Sequence, residues 1–304
     1  MRRIAVIAAL FLAPAAFALN NRSAVSVTGL DSNPCTTASP CRSFGAAIAA
    51  TAADGEIIAM SSGGYGPFTI DKGITVSGIP GVHAAITTTG DGIYVNPAGA
   101  VNVIIRNLVM IGPPSTMGSS NGVRVDGHCH VHITGCVLRG FPGSGVQAFA
   151  GTVSVDHCTI VANSQGVGVG NFTPGVTTTI MTVTDSLIEG NDSGVSTGTD
   201  TKLTISHSTI ALCSDGIDIA PQGTPANSST VVVERSVISG MINSGIALFP
   251  ANGNVATLYV SDTLFEQTSK PVTNQSGGTV YSFGNNEMAN NLNPPDAMTP
   301  IASK

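Results

Sequence analysis

The stretch V-S-V-D-H-C-T-I-V-A-N-S-Q-G-V-G-V, from Val153 to Val169, holds the two landmarks from which the fold follows. An aliphatic alternation, Val153-Ser154-Val155, leads to the small residue Cys158; eight residues later Gly166-Val167-Gly168-Val169 opens a second alternation. Both landmarks recur. The glycine one returns as Gly92-Ile93-Tyr94-Val95, Gly122-Val123-Arg124-Val125, Gly145-Val146, Gly194-Val195, Gly216-Ile217-Asp218-Ile219 and Gly245-Ile246-Ala247-Leu248. The mean interval of about 25 residues lies in the range of solenoid repeats. The aliphatic landmark precedes Asn107, Cys136, Cys158, Ser186, Ser208, Ser236 and Thr263, and from Cys136 onward the next Gly, or Pro271 in the last copy, follows after eight or nine residues. Length varies in the other half of the repeat, so insertions gather at one corner, near residues 170–178, 220–229 and 249–256.

Period-two alternation over short segments, a turn after each, and a repeat too short for crossover helices predict strands stacked in parallel as rungs of a coil. That is a single-chain parallel β-helix, an all-β solenoid. Its aliphatic residues face a continuous core, and the small residues form a ladder at one corner. Pro80, Pro97, Pro113, Pro114, Pro142, Pro174, Pro221, Pro225 and Pro250 all fall between the expected strands, where no ladder donor is lost. An open solenoid end needs a cap. Residues 43–54 are read as a capping helix, with Ser43 as N-cap, Phe44, Ala47, Ile48 and Ala52 as its apolar stripe, and Gly55 as its stop.

Composition agrees with this reading. The 304 residues include 36 Gly and no Trp, with 10% charged and 5% aromatic residues, a balance that suits turns and strands over helices. With 42% hydrophobic residues and a mean hydropathy of +0.29, disorder is excluded. Residues 1–18 are read as a secretory signal peptide: Arg2 and Arg3 precede an apolar run to Leu12, and Ala16-Phe17-Ala18 offers small residues for cleavage. Removing them takes away two arginines and no acid, moving the net charge from −6 to −8. Such a chain is expected to be secreted or periplasmic, monomeric, without a transmembrane segment, and repelled by nucleic acid. The expected organisation is the signal peptide, an N-terminal strand, Cys loop and capping helix over 19–57, rungs over 58–288, and a tail over 289–304. Cys35 and Cys41 bracket a short Pro- and Thr-containing loop and are expected to pair. The pairing of Cys129, Cys136, Cys158 and Cys213 stays open, and neither cysteine nor histidine spacing gives a zinc pattern or names a cofactor.

The stretch from Val25 to Gly78 contains the strand S-V-T-G, the loop D-S-N-P-C-T-T-A-S-P-C, the helix, then D-G-E-I-I-A-M, S-G-G-Y-G-P-F-T-I and G-I-T-V-S-G. It resembles the N-terminal module of secreted pectate-lyase-like right-handed parallel β-helix proteins. That family includes pectate lyases, pectin methylesterases, polygalacturonases, alginate epimerases and non-enzymatic surface proteins. The resemblance implies a right-handed coil and an extracellular or cell-envelope polysaccharide as partner, bound and processed by a lyase, hydrolase or epimerase, or bound alone. The other reading is a non-catalytic surface, adhesion or protein-binding solenoid. The acid pair of polygalacturonases, the Arg-rich strand of pectate lyases and the methylesterase motifs have no counterpart here.

Two clusters are candidates for chemistry. Outward residues beside the glycine landmark include Tyr94, Arg124, Gln147 and Asp218, with Asp126 and His128 leaving the Arg124 rung. Arg124 suits an acidic sugar, Asp126 or His128 a proton transfer, and Tyr94, Gln147 and Asp218 substrate contacts. At about 4.8 Å per rung, Arg124 and Asp218 lie about 19 Å apart and cannot act on one bond. The second cluster is the column Arg106, Gly135, His157, Asp185, His207, Arg235 and Asp262, in which His157, Asp185 and His207 stack as a candidate metal or acid–base site. Each cluster has a structural alternative, an Asp-stabilised turn for the first and a surface charge ladder for the second. Cys136 and Cys158 are expected to stack as buried thiols.

Overall fold

The computed structural model describes residues 19–113, 118–170, 178–223, 227–275 and 277–301. The signal segment 1–18, residues 171–177 of the first insertion and residues 224–226 of the second therefore lie outside the described residues. Among those described, parallel strands form three sheets of 12, 10 and 9 members, here A, B and C in the order the chain visits them. One rung shows the pattern: His130–Thr134 joins sheet A, Val137–Arg139 sheet B and Ser144–Ala148 sheet C, before Thr152–Asp156 returns to sheet A one rung on. This is a right-handed parallel β-helix. Alternate side chains turn inward as the strand period requires, and Ile133, Leu138 and Val146 of this rung are all fully buried. Each such side chain contributes about 1.5–3 kcal/mol relative to exposure.

The corner between sheets A and B is made by one residue in the left-handed region. Asn107, Gly135, His157, Asp185, His207, Arg235 and Asp262 have φ between 46° and 61°. The residue after each turns inward, and from Ser186 onward its hydroxyl does two jobs. Ser186, Ser208 and Ser236 each donate to the carbonyl two residues back and accept the backbone N–H of the preceding rung's ladder residue, Cys158, Ser186 and Ser208 respectively. The first rung corrects the expected columns. Arg106 pairs in register with Thr134, so Asn107 occupies the left-handed corner and Leu108 the buried ladder place. Arg106 is instead the end of its strand and bonds Glu56 at 2.7 Å.

The corner between sheets B and C carries a second ladder that was not anticipated. Asn163 Oδ1 accepts the Phe141 N–H, Asn191 Oδ1 accepts the Asn163 N–H, and the two amides donate to the carbonyls of Leu138 and Ile160.

The capping helix forms but stops early, at Phe44–Ala50. Ser43 caps it by accepting the Ala46 N–H, and Phe44, Ala47 and Ile48 are buried, with Phe44 packed on Tyr65 and Phe68. Thr51 ends it. Its hydroxyl bonds Ala47 O and Ser23 Oγ while its backbone starts the Thr51–Ala59 strand. Pairing with Asn20–Val25 thus overrides the helical stripe that reached Ala52. Asn20–Val25 and Thr51–Ala59 are sheet A strands, and Thr299–Pro300 joins the same sheet by pairing with Thr279–Ser282. Cys35 and Cys41 form the expected disulfide, and Cys129, Cys136, Cys158 and Cys213 are buried free thiols.

Candidate functional site

The outer face of sheet C carries the first cluster. Register places Tyr94 beside Arg124 and Arg124 beside Gln147, so the repeat itself juxtaposes them. Arg124 Nε and Nη2 donate to both oxygens of Asp126 at 2.9–3.2 Å, and the Tyr94 hydroxyl donates to Asp126 Oδ2 at 3.1 Å. Asp91 holds the far side of the guanidinium at 3.8 Å and is itself fixed by the Asn121 backbone and side-chain amides. The guanidinium carbon lies 5.7 Å from the Tyr94 ring centroid and 5.1 Å from that of Phe149, within cation–π range. The Asp126 bond raises the affinity of Arg124 for its proton, and burial followed by the Asp126 bond does the same for Tyr94.

Asp91, Phe149 and Asn96, whose Nδ2 donates to the Tyr94 hydroxyl at 3.1 Å, complete this cluster in addition to the residues expected from the sequence. Asp91 was accessible to sequence reasoning, because it directly precedes the glycine of its repeat. His128 is exposed at the turn into the His130–Thr134 strand.

Beyond Arg124 the face stays polar. Gln147 is buried and accepts from Ser144 Oγ, and its side chain lies over Gly168, where a Cβ would meet it. Asp218 follows, four register steps from Arg124 through Gln147, Gly168 and Ser196, which agrees with a separation of about 19 Å. Burial, with the charge of Asp215 added, pushes its carboxyl up to about 6 although Ser193 Oγ donates to it at 2.8 Å.

A raised carboxyl pKa means that the folded chain holds the proton more tightly than the unfolded chain. Stability is therefore lost as pH rises from about 4 through about 6. Asp218→Asn, neutral at every pH, is expected to stabilise the protein by about 2 kcal/mol at pH 8 and hardly at all at pH 4 in urea denaturation. An equal gain at both pH values would contradict that origin.

The second cluster is only partly assembled. His157 Nδ1 lies 2.9 Å from Asp156 Oδ2, and donor atoms of Asp156, His157 and Asp185 all fall within 4.8 Å of one another. Asp156 raises the His157 pKa. One imidazole and two carboxylates form a donor set of the kind that holds a divalent cation. His207 is not in this group, since its Nε2 lies 3.5 Å from Arg235 Nη1.

The family model describing the right-handed β-helix region matches residues 121–292, more than half of the chain. The chain belongs to the right-handed β-helix family. Several solved β-helices share its shape. Pectate lyase Pel9A superposes with a TM-score of 0.52 at 17% identity, over 95% of this chain and 82% of that one. XylC in complex with xylose gives 0.56 at 8% identity, over 84% and 70%, and rhamnogalacturonan lyase 0.50 at 12%, over 86% and 75%. At these identities the likeness is one of fold. No curated protein matches this β-helix by sequence. Among the described residues no helix is long and apolar enough to cross a membrane.

Proposed function

We propose that this β-helix is an exported protein that binds a polysaccharide along the outer face of sheet C. The carrying observation is the Arg124 cluster, a guanidinium held between two carboxylates and two aromatic rings at one end of a polar strip that runs to Asp218. Such a strip offers an oligosaccharide fixed donors and acceptors rung after rung, with little side-chain entropy left to lose. The Cys35–Cys41 disulfide supports an oxidising compartment. Relatives in shape that are named for pectate, rhamnogalacturonan and xylose make saccharides the first ligand class to test.

The geometry favours a neutral glycan over a polyuronide. Arg124 is already paired with Asp126 and Asp91, so a sugar carboxylate would have to displace them against their charge. In affinity electrophoresis through gels containing xylan, β-glucan, pectate, alginate or hyaluronan, retardation is expected in a neutral gel. Tyr94→Ala and Arg124→Ala should each weaken it tenfold or more, while Thr209→Ala on sheet B leaves it unchanged. Equal retardation of all four proteins would reject this face.

A second reading, cleavage or epimerisation, is supported by Asp218, whose raised pKa suits an acid near neutral pH. Release of reducing ends or of unsaturated product, lost in Asp218→Asn, would support it.

A further inference from the structure

Sheet A presents a different surface. Its outward positions run in register as Thr204, Val232, Tyr259 and Tyr281 in one column and as Ser206, Glu234 and Ser261 in the next. Phe283 follows Ser282, the register partner of Val260, and so extends the second column past Ser261. Ser261 is small and its neighbours are large, which leaves a cup of about 490 Å3 around it. Tyr259 and Val232 form one wall, Asp262 and Asn285 the other, and Glu234 and Phe283 the two ends.

The walls are held in place. Tyr259 stacks on Tyr281 with ring centroids 5.0 Å apart and planes within 19°, so its ring is braced from the side away from Val232. Asn285 Nδ2 donates to Asp262 Oδ1 at 2.9 Å, and Asn285 Oδ1 accepts the Asp262 N–H at 3.1 Å. Asp262 Oδ2 and both Glu234 carboxylate oxygens are left without a protein donor among the described residues. Aromatic residues are scarce in this chain, which has four Tyr and no Trp. Two of those tyrosines nevertheless stand on this outer face, with the Phe283 side chain beside them 37% exposed.

We propose that this cup binds one neutral pyranose unit of a saccharide chain. The apolar C–H face of a pyranose matches an aromatic wall. Its hydroxyls supply the donors that Glu234 and Asp262 lack, as charge-assisted hydrogen bonds. The same two carboxylates repel a uronate. The cup lies on another sheet from the Arg124 strip, so the inference does not rest on that reading.

The test uses the full chain carrying Tyr94→Ala and Arg124→Ala, which removes the sheet C contribution, titrated with xylohexaose, cellohexaose, maltohexaose and trigalacturonate. Binding is followed by calorimetry and by tyrosine fluorescence. At least one neutral hexasaccharide is expected to bind and trigalacturonate not. Ser261→Tyr, at an outward strand position, fills the floor and is expected to reduce binding tenfold or more with an unchanged Tm. Should that variant unfold, Phe283→Ala, which leaves the core untouched, decides in the same way. No binding of any neutral saccharide by the parent, or a folded variant that binds as its parent does, would overturn the proposal. Failure of the sheet C reading looks different: Tyr94→Ala/Arg124→Ala would then bind as the wild type does.

Discussion

Gly194→Ala is expected to destabilise the fold by about 3 kcal/mol, the upper part of the usual overpacking range, and to lower Tm by about 5 °C. Gly194 lies in the Ser193–Thr197 strand of sheet C with an ordinary negative φ, so backbone freedom is not the reason for glycine there. Close approach is. A Cβ at Gly194 would lie 2.5 Å from the Gly216 carbonyl oxygen of the next rung and 2.6 Å from Ile210 Cγ2. The column repeats the arrangement: a Cβ at Gly122 would meet the Gly145 carbonyl at 2.5 Å, and one at Gly245 the Pro271 carbonyl at 2.5 Å. Relief requires separating two rungs joined by strand hydrogen bonds. Gly90→Ala is the control, since a Cβ there meets nothing within 4 Å and its φ is not in the left-handed region. Urea or thermal unfolding in which the two variants lose the same stability would show that rung spacing does not set the requirement.

Asn163→Leu, nearly isosteric, should cost about 2–3 kcal/mol, counting about 1–3 kcal/mol for the one buried polar group left without a partner. Asn163 is 4% exposed and serves three neighbours. It accepts the Phe141 N–H at 2.9 Å, donates to Leu138 O at 3.3 Å and donates to Asn191 Oδ1 at 3.1 Å. Leucine keeps the volume and strands the Phe141 N–H beside the core, while Leu138 O loses one donor and keeps its place in the parallel pairing with the next rung. Asn191 Oδ1 keeps the Asn163 backbone N–H, so the ladder above is weakened without being broken. Hydrogen exchange should locate the damage, with the Phe141 amide losing protection while amides at the opposite corner, such as that of Ser208, keep theirs. Uniform loss of protection, or a cost below 1 kcal/mol, would mean that the asparagine ladder is not a local support.

These two residues mark where sequence reading succeeds and where it ends. Gly194 was visible because its repeat returns at a fixed distance from the small-residue corner, a periodicity internal to one rung. Asn163 was passed over because the B–C corner varies among Phe141, Asn163, Asn191, Cys213 and Met241, and only stacking shows that they occupy one place. Arg106 was misassigned by a single position for the same reason. In the first rung, Asn107 looks like a small ladder residue, and only pairing with Thr134 shows that Leu108 holds that place.

From the sequence alone came the parallel coil, its inward aliphatics, the Cys35–Cys41 loop, the helix-capped N-terminal end and the juxtaposition of Tyr94 with Arg124. All of these follow from residues near in the chain or one repeat apart, where strand period and rung register leave a single arrangement. Only the tertiary structure decided the rest. Which partner a long side chain takes depends on every neighbour within reach, so Arg124 turned to Asp126, Asp91 and Phe149, and His207 went to Arg235 instead of Asp185. Burial of Asp218 and the cup around Ser261 likewise arise from side chains on several rungs at once. No single repeat encodes them, because the space that is filled or left empty belongs to the stack.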